Sequence, residues 1–510
     1  MVSGGRQMRR KQILTNSAMT VVQIIIIAAV LFILYRFLLN TIGVKQFGIW
    51  SLVLSTTSVT SIAQFGLSGS VVIFVSKYHA RGEKNNVAAV IQTAAISVAV
   101  FIGIILLISY PVIKWILSLV IAEESIHLAI LILPYALIAF WITAVTSTLQ
   151  SGLDGLQRID LSSILLMGGA IFHLALCFLI VPKYQLLGLA YATIAKNVFV
   201  FIFIWLFLKK RLPLPVFPNR WDKNIFQEIF RYGLRFQVIS VAQMLYDPVT
   251  KMLISKFGGL ATVGFYEMAS KLILQARSLM VSANRVLVPT YAEFKEKLPR
   301  EINNLYLTSY RLIFYLSVPL FTLLIILMPI ISEAWIGHYE GVFVVFGILL
   351  AVGWLLNLLN APSYYAYCGI GDLKWNVIGN ITIAVLNAGL GILLGSLFGG
   401  IGVMFAFVAA LTFGSSIFCV SYHRKYKISF REVIPSASKG LVIICLSLLL
   451  VFFLLPPGIS RPVFPVGILL IGVAVSAILI TMWLHPMRKQ LFGWIKNDLF
   501  LNRKTKYQGG

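Results

Sequence analysis

The fold class this sequence predicts is an all-α, polytopic membrane protein, and three observations predict it. Apolar stretches of about 20 residues recur from end to end, the length a helix needs to cross roughly 30 Å of hydrocarbon with its backbone hydrogen bonds satisfied. Of 510 residues, 59% are hydrophobic and 12% charged, with a mean hydropathy of +0.91. That is too little charge to cover a soluble surface. Basic residues also gather in every second gap between the apolar stretches.

About 14 spans are expected, near 13–40, 47–76, 87–109, 126–150, 161–181, 186–208, 232–256, 263–290, 306–331, 340–368, 375–397, 400–422, 437–456 and 464–484. With the N-terminus inside, roughly 28 Lys and Arg fall in inner loops and 5 in outer ones, a strong positive-inside bias. Both termini are then cytoplasmic. The net charge of +25 reports topology and calls for no nucleic acid. The first apolar run follows Arg9, Arg10 and Lys11. It is too long for a secretory signal and is read as a retained span. Cys177, Cys368, Cys419 and Cys445 all fall inside spans, where they read as apolar filler rather than disulfide partners.

The second half of the chain repeats the first. Phe47-Gly48-Ile49-Trp50 matches Val263-Gly264-Phe265-Tyr266, and Tyr78–Lys84 parallels Tyr291–Lys297. Gly152–Arg158 resembles Gly369–Trp375, and Leu187-Gly188-Leu189-Ala190 resembles Ile401-Gly402-Val403-Met404. Four matches in order at a nearly constant offset indicate a parallel repeat about an axis along the membrane normal. The expected organisation is an N-terminal six-helix lobe over 1–208 and a basic cytoplasmic linker over 209–231, broken by Pro213, Pro215 and Pro218. A C-terminal six-helix lobe over 232–423 and two added helices over 424–484 follow. A cytoplasmic amphipathic tail over 485–510 closes the chain, suited to lie on the inner leaflet.

Ionisable groups inside spans cost about 2.5–3.5 kcal/mol near the centre on insertion scales, so each invites a function. They are Arg36, Lys196, Asp247, Lys251, Glu267, Lys271 and Arg277, with Arg285 close to an inner surface. Arg36 aligns within about one residue of Lys251 in the repeat, and Glu267, Lys271 and Arg277 align with Ser51, Ser55 and Ser61. At 100° per residue those three share one helix face, which suits a hydrated wall. Two blander readings compete. Arg36, Lys251 and Lys271 are near enough to the outer boundary to snorkel, and Asp247–Lys251 and Glu267–Lys271 are spaced to neutralise each other. Lys196 and Arg277 lie too deep for the first.

Five deep cations against two carboxylates favour an anionic ligand. Arg36, Lys196, Lys251, Lys271 and Arg277 are the candidate headgroup binders, Arg suiting phosphate through its planar fork. Asp247 and Glu267 are candidate carboxylates for coupling to H+ or Na+. Asn357, Asn360, Tyr364 and Tyr365 are candidate sugar contacts. No phosphate-binding loop and no H-E-x-x-H motif is present, and no outer loop is long enough for a catalytic domain. No catalytic residue, metal ligand or cofactor is therefore assigned. His173, alone in an apolar span, reads as a packed residue.

At these words the chain resembles the polysaccharide-transporter branch of the multidrug/oligosaccharidyl-lipid/polysaccharide exporter superfamily, the O-antigen flippase type. Phe47-Gly48-Ile49-Trp50, Gln64-Phe65-Gly66-Leu67, Gly152–Arg158 and Tyr184–Ala190 carry the likeness, which covers nearly the whole chain and specifies the family better than the substrate. The resemblance implies a V-shaped two-lobe fold in the inner membrane. It also implies transfer of an undecaprenyl-diphosphate-linked oligosaccharide to the outer leaflet, alongside polysaccharide polymerase or assembly partners. A cation-coupled multidrug antiporter of the same fold is the alternative. A membrane-embedded glycan polymerase or ligase is the alternative of another class.

Overall fold

The structure, a computed structural model, describes residues 2–64, 67–216, 218–234, 237–285, 287–433, 438–454 and 465–489. Among the described residues the regular elements are all helical. The first half forms α1 (Val2–Ser58), α2 (Leu67–Ala80), α3 (Lys84–Val120), α4 (Glu123–Gly155) and α5 (Ile159–Lys209). After α6 (Lys223–Leu234), the second half forms α7 (Gln237–Gly258), α8 (Leu260–Arg285), α9 (Val288–Lys297), α10 (Ile302–Ile336), α11 (Gly341–Ile370) and α12 (Lys374–Tyr426). The short α13 (Phe430–Val433) precedes α14 (Lys439–Leu454) and α15 (Pro465–Leu484).

Seven of these helices are long and apolar enough to cross a bilayer on length and composition, and three of the seven double back. Each reversal sits at one residue outside helical geometry: Gly43 (φ 76°) in α1, Gln185 (φ 50°) in α5 and Gly399 (φ 64°) in α12. Past the bends, Tyr35 meets Phe47 edge-on at 4.7 Å, and Gly188 and Gly402 lie against the backbones of Ile180 and Leu394. Three doubled helices and eight single ones account for the expected 14 or so crossings. α7 and α8, with 22 and 26 residues, carry too many charges to read as plain apolar spans, and their side-chain partners explain how they are tolerated.

The internal repeat is written in the backbone. Gly43 and Gly259 (φ 84°) are 216 residues apart; Gln157 (φ 59°) and Gly371 (φ 82°), like Gln185 and Gly399, are 214 apart. The same close ends α4 and α11: Arg158 N–H donates to the Leu153 carbonyl at 2.9 Å, and Asp372 N–H to the Tyr367 carbonyl at 3.1 Å. Both are Schellman closures with the left-handed residue one step earlier. Glycine fills that residue in the second half and glutamine in the first. A side chain costs roughly 1–2 kcal/mol in this conformation, so Gln157→Gly is expected to raise the thermal midpoint, as read by a melting curve in detergent.

Two compact units emerge: residues 1–275 with 380–410, and residues 276–379 with 411–510. In the first, the linker segment is docked rather than loose. Leu212 and Leu214 are buried, Trp221 Nε1 donates to Ser97 Oγ at 3.0 Å, and the Asn219 and Arg220 amides donate to Gln92 Oε1. α6 then packs on α2 and α3, with Phe226 stacked on Phe101. In the second unit, Tyr291, Tyr306, Tyr310, Tyr367 and Tyr422 form an aromatic core, anchored where Tyr306 OH lies 2.7 Å from His423 Nε2. α14 and α15 join that unit on α10, where Tyr315 OH donates to the Met482 carbonyl at 2.8 Å. Most of the amphipathic tail expected over 485–510 lies outside the described residues, as do Phe65 and Gly66 of the Gln64–Leu67 turn.

Candidate functional site

The site begins with two glycines. Gly48 in α1 and Gly264 in α8 are repeat equivalents, and the two helices cross there with backbones touching. A Cβ on Gly48 would overlap the Leu260 carbonyl oxygen and stand 3.2 Å from Gly264 N; one on Gly264 would stand 2.8 Å from Val44 O. Val44 and Leu260 are themselves equivalents. Only hydrogen at both positions permits this approach, the use that small residues serve between membrane helices.

One turn further along, the crossing brings polar equivalents face to face. Ser51 Oγ donates to Glu267 Oε2 at 3.0 Å, and these two residues correspond in the repeat. Glu267 also accepts from Tyr35 OH at 3.2 Å and is paired with Lys251 at 2.7 Å; Tyr35 and Lys251 correspond in their turn. Lys251 Nζ reaches Asp247 Oδ2 at 2.7 Å as well. Ser55 Oγ and Tyr266 OH donate to Asp247 at 3.0 and 3.2 Å, and Lys271 closes on Glu267 Oε1 at 3.5 Å. The Lys251 side chain is only 4% exposed and that of Glu267 10%. Two ammonium groups and two carboxylates make the cluster formally neutral, which is how two charged helices sit at a buried crossing.

This geometry changes the charge balance expected from the sequence. Asp247, Lys251, Glu267 and Lys271 answer one another, so Lys251 and Lys271 do not add to a positive wall. Both i,i+4 pairs form, and the cross-helix Lys251–Glu267 pair joins them. Arg36 is exposed on α1 rather than in the cluster: Tyr35 occupies the place equivalent to Lys251, and one residue turns a helix by about 100°. Tyr35, Ser51, Ser55 and Tyr266 belong to the cluster and are not among the candidates read from the sequence. The 216-residue offset between Ser51 and Glu267 was the signal that pointed to this face.

The remaining cations have separate settings. Lys196 lines a cavity of about 280 Å³ built by α1, α4 and α5, with His173 and Asn197 in the same wall. Arg277, in the second unit, lays its guanidinium over the Trp354 ring at 4.3 Å and donates from Nη2 to Asn357 Oδ1 at 3.2 Å. Asn357 thus meets Arg277, whereas Asn360 Nδ2 donates to Ser415 Oγ at 3.0 Å. Tyr364 packs edge-on against Tyr365 at 5.2 Å and tilts onto Phe418. Trp354, Asn357 and Tyr364 fall on one side of α11, a stripe of rings and an amide with an arginine at one end. Among the described residues, no three His, Cys, Asp or Glu side chains group so as to hold a metal ion.

A family model described as polysaccharide biosynthesis protein matches residues 16–339, more than half of the chain. The chain belongs to that family. One relative is the amylovoran biosynthesis protein AmsL of Erwinia amylovora. It is 23% identical over 176 residues, which cover 33% of this chain and 44% of that protein, so the match spans less than half the length of the curated relative. Two solved structures share the fold, each at 15% identity. The lipid II flippase MurJ in an inward closed conformation aligns with a TM-score of 0.70 over 95% of this chain and 99% of its own. An inward-facing multidrug resistance MATE family transporter of the MOP superfamily aligns at 0.69 over 79% and 98%. This family member is therefore a multi-pass membrane protein with two pseudo-symmetric six-helix lobes and two added helices, built on the exporter fold.

Proposed function

We propose that this protein is a flippase. It moves an undecaprenyl-diphosphate-linked oligosaccharide, an O-antigen or other surface-polysaccharide repeat unit, from the inner to the outer leaflet of the cytoplasmic membrane, with both its termini in the cytoplasm. The observation that carries the reading is Arg277, a guanidinium in the interior of a span, stacked on Trp354 and steadied by Asn357 in a polysaccharide biosynthesis protein. A planar fork offers paired hydrogen bonds to a diphosphate, and the adjoining aromatic-amide stripe offers faces and donors to sugar rings.

The physics of the cargo fits. A glycosyl diphosphate cannot cross hydrocarbon unaided, whereas its polyprenyl tail has no reason to leave it. Cations within the membrane offset the desolvation of the phosphates. An inside-negative potential favours outward movement of the anionic head by about 2.3 kcal/mol per charge per 100 mV. In this reading the Asp247–Lys251–Glu267–Lys271 cluster is a latch that holds α1 against α7 and α8 in one state of the cycle. A coupling cation, H+ or Na+, would act at these carboxylates by taking the place of Lys251. Polysaccharide polymerase or assembly proteins would receive the cargo.

Lipid analysis after deletion of the gene tests the reading. Undecaprenyl-linked glycan trapped on the cytoplasmic face is the expected result, while unchanged glycans with altered dye resistance would favour a drug antiporter. Loss of the Arg277 charge removes hydrogen bonds worth about 1.5–3 kcal/mol. Arg277→Ala is therefore expected to lower surface-glycan export roughly tenfold to a hundredfold, and Arg277→Lys to keep part of it, by immunoblot at matched protein level. Normal export in Arg277→Ala cells would remove the arginine from the mechanism.

A further inference from the structure

The Lys196 cavity stands apart from the ion-pair cluster, and its chemistry points elsewhere. One wall is apolar, from Ile27, Val30, Leu31 and Leu34 of α1; the other sets Ser147 and Gln150 of α4 and His173 and Lys196 of α5 among the apolar Leu166, Ala170 and Val200 of α5. Lys196 lies eleven residues past the Gln185 reversal, about 16 Å along the helix and so about halfway across the hydrocarbon. Gly169 lies on the facing stretch of α5, and a Cβ there would stand 3.9 Å from Lys196 Cγ, so the lysine stem passes closely over a glycine.

The fixed partners are already engaged. Asn197 Nδ2 donates to the Ala139 carbonyl and to Thr143 Oγ1, both at 2.8 Å, and His173 Nε2 lies 3.3 Å from Thr193 Oγ1. No Asp or Glu lines the cavity, and among the described residues Lys196 makes no ion pair. An ammonium in a low-dielectric interior costs several kcal/mol without a counter-charge. A cavity with room for about nine waters at liquid density has space for that counter-charge to be a ligand.

We propose that this cavity binds a small anion, a halide or a single phosphate-sized group. Lys196 supplies the charge and the Gln150 amide a further hydrogen-bond donor, the Ser147 hydroxyl already donating to the Ala144 carbonyl at 2.8 Å. The cavity is too small for a glycan of several rings, so the site is distinct from the route of a sugar head, and the inference stands whatever the cargo is. The anion has two possible sources with the same chemistry: a free ion from solution, or the phosphate of the polyprenyl carrier.

The test uses the full-length protein in lipid nanodiscs, with the thermal midpoint measured in sodium chloride, sodium phosphate or sodium gluconate at equal ionic strength, and in gluconate with undecaprenyl phosphate added to the lipid. The expected result is a midpoint about 2–4 °C higher in chloride or phosphate than in gluconate, lost in Lys196→Met and retained in Lys196→Arg. Lys196→Met should melt no lower than the unaltered protein in gluconate, since it removes an unanswered charge; Lys196→Gln replaces it if the methionine variant misfolds. A Lys196-dependent rise only with undecaprenyl phosphate supports the site and assigns its anion to the carrier lipid. Equal midpoints in every medium, or an anion response that persists without the lysine charge, overturn the proposal.

Discussion

Replacing Lys251 with alanine is expected to destabilise the protein by about 3–5 kcal/mol, the cost of leaving buried charge without its partner. The ammonium bridges Asp247 and Glu267 at 2.7 Å each; without it, two carboxylates face each other with Lys271, 3.5 Å from Glu267, as the remaining cation. Tyr35, Ser51, Ser55 and Tyr266 would still donate, but hydroxyl dipoles do not neutralise a charge. The triple variant Asp247→Asn, Lys251→Met, Glu267→Gln should recover much of the loss, because removing buried ions together is often neutral and the ion that stays, Lys271, is 44% exposed. Thermal melting in detergent and the level of protein in membranes measure both, with the exposed Lys114→Ala as control. If Lys251→Ala melts with the control, the cluster does not hold the crossing together. Under the proposed flippase cycle the same variant should also lower export, since the latched state is weakened.

Substituting Gly48 with leucine should abolish the α1–α8 crossing outright. Even a single Cβ overlaps the Leu260 carbonyl oxygen, and backbone does not move aside as a flexible side chain does. Overpacking costs about 1–3 kcal/mol where side chains can adjust; here they are not the obstacle, so the larger consequence is a change of state. The helices must separate, and Ser51–Glu267 and Tyr35–Glu267 break with them. Cysteine pairs placed on α1 and α8 near Val44 and Leu260 should cross-link readily in the otherwise unaltered protein and at least tenfold less in Gly48→Leu. Gly264→Leu should behave alike, because its neighbour on α1 is the Val44 backbone. Undiminished cross-linking in both variants would show that the glycines are not what sets the approach.

Much of this architecture is legible in the residues, and what is not has identifiable causes. Gly259 stands opposite Gly43 in the repeat, and the backbone turns with positive φ at both. Gln185 is a harder case: nothing in glutamine announces a left-handed turn, and only its counterpart Gly399 gives it away. The helix α6 and its docking through Gln92, Ser97 and Trp221 were hidden behind three prolines and a run of basic residues. Among the charges, the i,i+4 spacing exposed two of the pairings. The third, Lys251 to Glu267, joins different helices, and no sequence separation encodes it.

The chain by itself determined that it crosses a membrane many times, that its halves are copies, and where its costly charges lie. These properties depend on hydropathy, periodicity and spacing, which are local and additive along a strand of residues. Tertiary structure alone decided that Lys251 also answers Glu267, that Tyr35 rather than Arg36 faces Glu267, and that Lys196 and Arg277 occupy different surroundings. Those outcomes turn on helix rotation and on how closely two backbones approach. A single residue of register turns a side chain by about 100°, and a single methyl group at Gly48 would forbid the contact altogether.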